Sequence, residues 1–313
     1  MDTSGRSRFE RGRVVAALAA LVAFQLALHS AVPNTVGRLG SLLETFLPWL
    51  GLAVPVLLVA ALRRRSVTAL IAVLLPAAAW LGLFGALLLP PSDGPGDLVV
   101  VQHNVNDVNT DPVGTAGALA RVSPDLVALE ELTPSALPAY RKALEADLPH
   151  HAVVGTVGLW SRHPLKDVRP LDIRPRGIGP GWNRGLRATV VTPGATVAVH
   201  VAHLPSVRLG LRHGFSSDRR DESARLLAAA LAAEKQDRVI LLGDLNSTVD
   251  DRGLDPLRAQ VDVAAPGFAF SWPASFPVAR IDQIMTRSAS VTHLRSLPPT
   301  GSDHLPIVAR IAL

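Results

Sequence analysis

The chain of 313 residues contains no cysteine. That excludes disulfides, zinc–thiolate centres and cysteine nucleophiles. Aromatic residues are scarce, at 4% with a single tyrosine, and charged residues make up only 18%, where soluble domains carry about 25%. There is no phosphate-cradling P-loop, no dinucleotide-binding glycine fingerprint and no nucleophilic serine elbow. P-loop nucleotide hydrolysis, Rossmann-type redox chemistry and serine-hydrolase chemistry therefore lack their sequence basis. Apolar residues fill the gap. They make up 48% of the chain, and the mean hydropathy is +0.29, which is too apolar for an ordinary soluble enzyme and points to membrane segments.

The net charge of +5 is unevenly placed. Residues 1–90 carry eight arginines against Asp2, Glu10 and Glu44, while the remainder balances at 23 basic and 23 acidic side chains. The part able to fold as a nucleic-acid-binding domain is thus neutral, and duplex phosphates call for a basic face. Three apolar runs occupy the first third: residues 14–32, 46–62 and 67–89. About 20 apolar residues span a bilayer as a helix, and three successive runs argue against a cleaved signal peptide. Residues 1–89 are therefore expected to form a membrane anchor of three transmembrane helices. Arg6, Arg8, Arg11 and Arg13 precede the first run, and Arg63, Arg64 and Arg65 separate the second from the third. Positive charge stays in the cytoplasm. The N-terminus is then cytoplasmic, and an odd number of spans leaves the rest outside the cell membrane. The Pro/Gly-rich residues 90–96 read as a linker, and residues 97–313 as the catalytic domain.

The C-terminal part alternates short β-branched runs with polar junctions. Residues 97–103, 125–130, 187–192, 196–203, 238–243, 281–286 and 306–312 read as strands, with a hairpin turn at Pro193-Gly194. Residues 221–235 carry helical spacing. Hairpins mixed with crossovers predict an α/β sandwich rather than a purely parallel sheet. Carboxylate, carboxamide or imidazole groups stand at the strand ends: Asn104, Glu130 and Glu131, His203, Asp244 and Asn246, Asp282, Asp303 and His304. A rigid sheet edge suits catalytic groups.

The segments VQHNVND, PDLVALEEL, GLWSRHPL, VHVAHLPS, VILLGDLNST, ARIDQIM and GSDHLPIVARI resemble, in this order, the endonuclease/exonuclease/phosphatase (DNase I-like) superfamily. GDLNS and SDHLP are the most specific. With three spans in front, the chain further resembles the VanJ-type teicoplanin-resistance membrane proteins of actinobacteria. The resemblance implies a DNase I-like α/β sandwich of two mixed β-sheets flanked by helices. It also implies a metal-dependent hydrolase of phosphoric ester or anhydride bonds using Mg²⁺ or Mn²⁺. In that reading Glu131 is the principal metal ligand, with Glu130 the alternative, read as a solvated or supporting acid. Asn104 and Asp303 assist at the metal, and Asn104, Asn246 and Arg184 bind substrate phosphate. Asp244 activates the attacking water. His304, paired with Asp282, stabilises the phosphoryl group or acts as base, and His203 is the acid for the leaving oxygen. Arg162 is a further phosphate candidate. A lipid-linked phosphate or pyrophosphate of the cell envelope is the expected substrate. An extracytoplasmic nuclease and a non-catalytic membrane-binding module are the competing readings, and no obligate protein partner is implied.

Overall fold

The computed structural model describes residues 12–89, 96–210, 214–263 and 267–313. Arg6, Arg8 and Arg11, nearly all of the Pro/Gly-rich linker, and His213 lie outside the described residues. The chain divides into two compact units, Met1–Leu89 and Pro90–Leu313.

The first unit is helical: α1 (Arg13–Ala27), α2 (Leu39–Thr45), α3 (Ala53–Arg63) and α4 (Val67–Phe84). Its inner contacts are small or branched: Val15, Ala19, Leu57, Ala61, Ala69 and Val73. Its outer face is apolar, with Val14, Leu18, Leu21 and Phe24 exposed on α1 and Val67, Ile71, Leu74, Leu75 and Leu81 on α4. Water would expel such a surface, and alanine-mediated contacts are the way helices pack in lipid. Among the described residues one helix, Val67–Leu88, is long and apolar enough by itself to cross a membrane. Helices Leu39–Thr45 and Leu47–Arg63 pass the same test only jointly and are bent by 67°. The first apolar run differs from its expected extent, because α1 stops at Ala27 and a short 3₁₀ turn follows at His29–Ala31. Fifteen helical residues rise only about 22 Å, short of a bilayer core of about 30 Å.

The second unit holds fourteen strands among the described residues. They are β1 (Leu98–Asn104), β2 (Leu126–Glu130), β3 (His150–Val154), β4 (Val157–Ser161), β5 (Leu165–Pro170), β6 (Gly185–Val191), β7 (Thr196–Ala202), β8 (Leu209–Gly210), β9 (Gly214–Phe215), β10 (Val239–Asp244), β11 (Asp262–Val263), β12 (Asp282–Arg287), β13 (Ser290–Ser296) and β14 (Ile307–Ala312). The helices are α5 (Pro112–Ala120), α6 (Leu137–Leu144), α7 (Asp218–Ala232) and α8 (Asp255–Arg258). Two six-stranded sheets form, ordered β13-β14-β1-β2-β4-β3 and β11-β12-β10-β7-β6-β5. Each is mixed, with one parallel pair: β1 with β2, and β10 with β7. The predicted hairpin is the antiparallel β6–β7 pair.

The sheets stack face to face. Leu98, Val100, Leu126 and Ala128 of one meet Val199, Val201, Ile240, Leu242 and Ile284 of the other in a buried core. Outward residues pack under helices: Val101, Val127 and Leu129 with α5 and α6, and Ala198, Leu241 and Met285 with α7 and α8. This is an α/β sandwich of two mixed sheets flanked by helices. Because strand side chains alternate faces, the inward parity of Val100, Ala128, Leu242 and Ile284 carries to Gln102 and Asn104, Glu130, Asp244 and Asp282. The core turns polar at one end of the sandwich for that reason alone.

Candidate active site

The polar end is closed by register. Asn104 stands opposite Glu130 on the parallel pair, and Asp244 opposite Asp282 on the antiparallel one. His203 follows β7 directly and is fully buried, while His304 lies in the loop before β14 and is 5% exposed. The strand ends are bent sharply: Asn106, Glu131 and Asn246 all hold positive φ, at 62°, 60° and 48°. Non-glycine residues adopt that region at a cost, and such strain gathers at functional sites. Gly243 is obligatory for packing, because a Cβ there would sit 1.9 Å from the Ala202 carbonyl oxygen. The close approach of β10 to β7 brings Asp244 beside His203.

A network of short contacts assembles the centre. His304 Nδ1 lies 2.8 Å from Asp282 Oδ2, which leaves Nε2 facing Asp244 Oδ2 at 3.8 Å. Asn104 Nδ2 donates to Asp244 Oδ2 at 3.0 Å. The Asn246 amide donates to Asp244 Oδ1 at 2.9 Å. His203 Nε2 lies 3.6 Å from Asp244 Oδ2 and 3.8 Å from Glu131 Oε1. Arg184 Nη1 stands 3.2 Å from the His203 ring, its guanidinium stacked 5.4 Å from the centre of Trp182. Asp303 joins through Asn106, whose side-chain amide donates to it at 2.8 Å. The same turn ties in Glu131, which accepts from the Asp107 amide at 3.2 Å. Apart from Arg162, the candidate catalytic, phosphate-binding and metal-binding residues therefore lie at one end of the sandwich.

The charges oppose one another. Burial lowers His304, but the Asp282 and Asp244 carboxylates outweigh it and raise the imidazole to about 10. Burial works against ionised Asp282, yet the charge and hydrogen bond of His304, with bonds from Ser271 and Gln102, hold it below its ordinary value. Burial pushes Asp244 up to about 7, Asp282 adding to the rise and His304 opposing it. His203 is driven far below the ordinary imidazole value by burial and then by Arg184 and His304.

Two residues depart from their expected surroundings. Glu130 is not solvated: it is completely buried on the inner face, with its pKa raised, first by burial and then by Asp282 and Asp244. Arg162 binds the Pro124 carbonyl and lies 3.4 Å from Asp125, at the opposite end of β2 from the site. His103 points outward, as its odd position on β1 requires, and meets Thr300. Sequence reasoning passed over Gln102, Asn106 and Ser271. The alternation that places Asn104 inward places Gln102 inward too, so the signal for Gln102 was present.

The donors suit a hard divalent cation. Mg²⁺ takes one or two carboxylates with water and substrate oxygens. Glu131, its side chain 28% exposed, offers a carboxylate at the mouth of the site, with Asn104 and Asp303 linked to it through the 104–107 turn. Asp244, Asp282 and His304 also offer ligand atoms within 4.8 Å of one another, but the imidazole nitrogen facing Asp282 is already hydrogen-bonded to it.

Comparison with known proteins places this arrangement. Among solved structures, TDP2 of D. rerio complexed with a single-strand DNA product matches at TM-score 0.57 and 20% identity, over 69% of this chain and 99% of that one. A beta toxin variant of Staphylococcus aureus with bound magnesium ions matches at 0.52 and 17%, over 68% and 99%. Sphingomyelinase C of Streptomyces griseocarneus matches at 0.51 and 18%, over 70% and 100%. These likenesses concern the fold. No curated protein sequence matches the chain significantly. The sequence profile described as "Endonuclease/Exonuclease/phosphatase family" matches residues 101–304. That span holds every candidate site residue and well over half of the chain, which belongs to the endonuclease/exonuclease/phosphatase family.

Proposed function

We propose that this protein is a membrane-anchored, divalent-metal-dependent phosphoesterase. It hydrolyses a phosphate ester or pyrophosphate at the outer face of the cell membrane, on a lipid-linked envelope substrate of the kind its VanJ-type resemblance suggests. Residues 1–89 are the anchor with three membrane crossings, 90–96 the linker and 97–313 the catalytic domain. The arginine distribution and the outward apolar faces of α1 and α4 support the anchor. An anchor that holds the site near headgroups raises the effective concentration of a lipid substrate.

The observation that carries the catalytic reading is the convergence of Asp244, His304–Asp282, His203 and Glu131 around one point. Phosphoester hydrolysis needs an aligned water, neutralised phosphoryl oxygens and a stabilised leaving group. Asp244, fixed by Asn104 and Asn246, accepts the proton of the attacking water. Protonated His304, locked by Asp282, presents its Nε2–H to a phosphoryl oxygen. Asn246 and Arg184 supply further donors, and His203 serves the leaving oxygen as its acid. Glu131, with Asn104 and Asp303, would hold a divalent cation, which when bound would supply Lewis acidity toward the phosphoryl oxygens.

The test compares Mg²⁺- and Mn²⁺-dependent cleavage of three probes by the full chain in detergent: a polyprenyl pyrophosphate, phosphatidylcholine and plasmid DNA. Phosphate release from the pyrophosphate supports the envelope reading. Nicking of the plasmid alone would replace it with a nuclease. An alkaline phosphatase fusion after Pro91 that is inactive would refute the outward orientation.

A further inference from the structure

Gln102 is a fully buried carboxamide. The side chains before it on the same face of β1, Leu98 and Val100, belong to the apolar core. A buried carboxamide costs stability unless it is hydrogen-bonded. Its Nε2 carries two hydrogens, and the structure gives each a carboxylate: Glu130 Oε2 at 2.7 Å and Asp282 Oδ1 at 3.1 Å. Those acceptors belong to different sheets. Glu130 ends β2, in the sheet of Gln102 itself, and Asp282 opens β12 in the other. Gln102 Oε1 has no hydrogen-bond partner among the described residues, nor has Glu130 Oε1. The amide is therefore oriented by its two donated bonds alone.

The consequence falls on Asp282. One of its oxygens holds His304 Nδ1 at 2.8 Å, and Gln102 takes the other. With both ends tied, the carboxylate has no freedom to rotate away from the imidazole. Glu130 in turn keeps the amide nitrogen of Gln102, rather than its oxygen, turned toward the acids. We propose that Gln102, held by Glu130, is a positioning residue that fixes Asp282 and through it His304 in the orientation that hydrolysis uses. This rests on the phosphoesterase reading of the site, but the arrangement of the side chains has its own readout.

The geometry sets which residues can serve. Leucine or methionine at 102 takes away the donor that Asp282 Oδ1 and Glu130 Oε2 share. Glutamine at 130 still offers a carbonyl to the Gln102 amide, and its own amide can reach toward the free Gln102 oxygen. Leucine at 130 offers neither.

The experiment uses the full chain in detergent, labelled with ¹⁵N-histidine, in four variants: Gln102→Leu, Gln102→Met, Glu130→Gln and Glu130→Leu. The first readout is the imidazole Nδ1–H resonance of His304, identified by its loss in His304→Gln. The second is Mg²⁺-dependent hydrolysis of bis(p-nitrophenyl) phosphate. The expected result is a resonance displaced or exchange-broadened in Gln102→Leu and Glu130→Leu and retained in Glu130→Gln. In step with it, kcat falls between about tenfold and a hundredfold, as small misplacements of a catalytic group do, KM stays within about twofold, and Glu130→Gln restores most of the rate. Gln102→Met decides the matter if Gln102→Leu fails to fold. A folded Gln102 variant with the wild-type resonance and kcat overturns the proposal, as does a Glu130→Gln variant no better than Glu130→Leu. If wild type cleaves nothing, the phosphoesterase reading falls, and the resonance alone still supports or overturns the strut.

Discussion

Asp244 and Asp282 face each other across the last rung of the β10–β12 ladder, both completely buried. Two carboxylates so placed repel, and a buried charge needs a partner. His304 answers both, hydrogen-bonded to Asp282 and 3.8 Å from Asp244. The two acids end up divided in character, with Asp282 held ionised and Asp244 raised to about 7. That division is what separates an orienting acid from a proton acceptor.

The first prediction concerns Asp244→Asn. The amide keeps the volume and cannot take a proton from water. The kcat should fall by at least about a hundredfold, in the range of losing a general base, with KM little changed. The change also relieves the repulsion with Asp282, so the thermal midpoint should hold or rise. Steady-state kinetics with a thermal melt checks both.

The pH dependence follows from the same residues. Asp244 acts when ionised, and its value is about 7. His304 acts when protonated, and its value is about 10. In the absence of other limits, kcat/KM should rise with pH through neutrality and decline only near pH 10. A profile from pH 5 to 10.5 tests this. Loss of activity on going from pH 6 to 8 would have the wrong sign.

His200 gives a stability prediction remote from the catalytic centre. It is 1% exposed and held at about 4 by burial, with Arg187, Arg169 and Arg287 adding to the depression against Glu234. Its folded value lies below the unfolded one near 6.5. The unfolded state thus binds the extra proton between pH 6.5 and 4, and stability is lost as pH falls through that window, by up to about 1.4 kcal/mol per pH unit. His200→Gln removes that slope. Denaturant unfolding of both proteins at pH 7 and pH 5 should show the variant losing less on acidification.

Gly243→Ala tests the approach of β10 to β7. A Cβ 1.9 Å from the Ala202 carbonyl oxygen must push the strands apart. Overpacking of this kind costs about 1–3 kcal/mol or more, and here it also moves Asp244. Both the unfolding midpoint and kcat should drop. Serine at 243 should behave like alanine, because the clash is with its Cβ.

Much of the catalytic unit was legible from alternation. The runs 97–103, 125–130, 196–203 and 238–243 each lie within a residue or two of a strand in the structure, since β-branched runs bounded by turns leave the chain little choice. The polar residues that end them were visible as a set in the sequence. Strands β3, β5 and β13 were not, because they lie towards the sheet edges and many of their side chains face solvent, which blurs any apolar period. Glu130 shows the limit at the site. Its place beside Glu131 suggested a solvated or supporting acid; strand parity turns it into the core, and φ of 60° turns Glu131 out of it. In the helical unit hydropathy marked the apolar runs but not the break after Ala27 or the 67° bend near Phe46, where local packing decides the helix ends.

The most direct test of the account is Mg²⁺-dependent phosphate release by the full chain in detergent, beside Asp244→Asn and His304→Ala, with folding of all three verified by thermal melts. The account predicts hydrolysis by wild type, abolished by chelation with EDTA and reduced at least about a hundredfold in both variants. Undiminished hydrolysis in a folded Asp244→Asn protein, or in wild type after chelation, would contradict it.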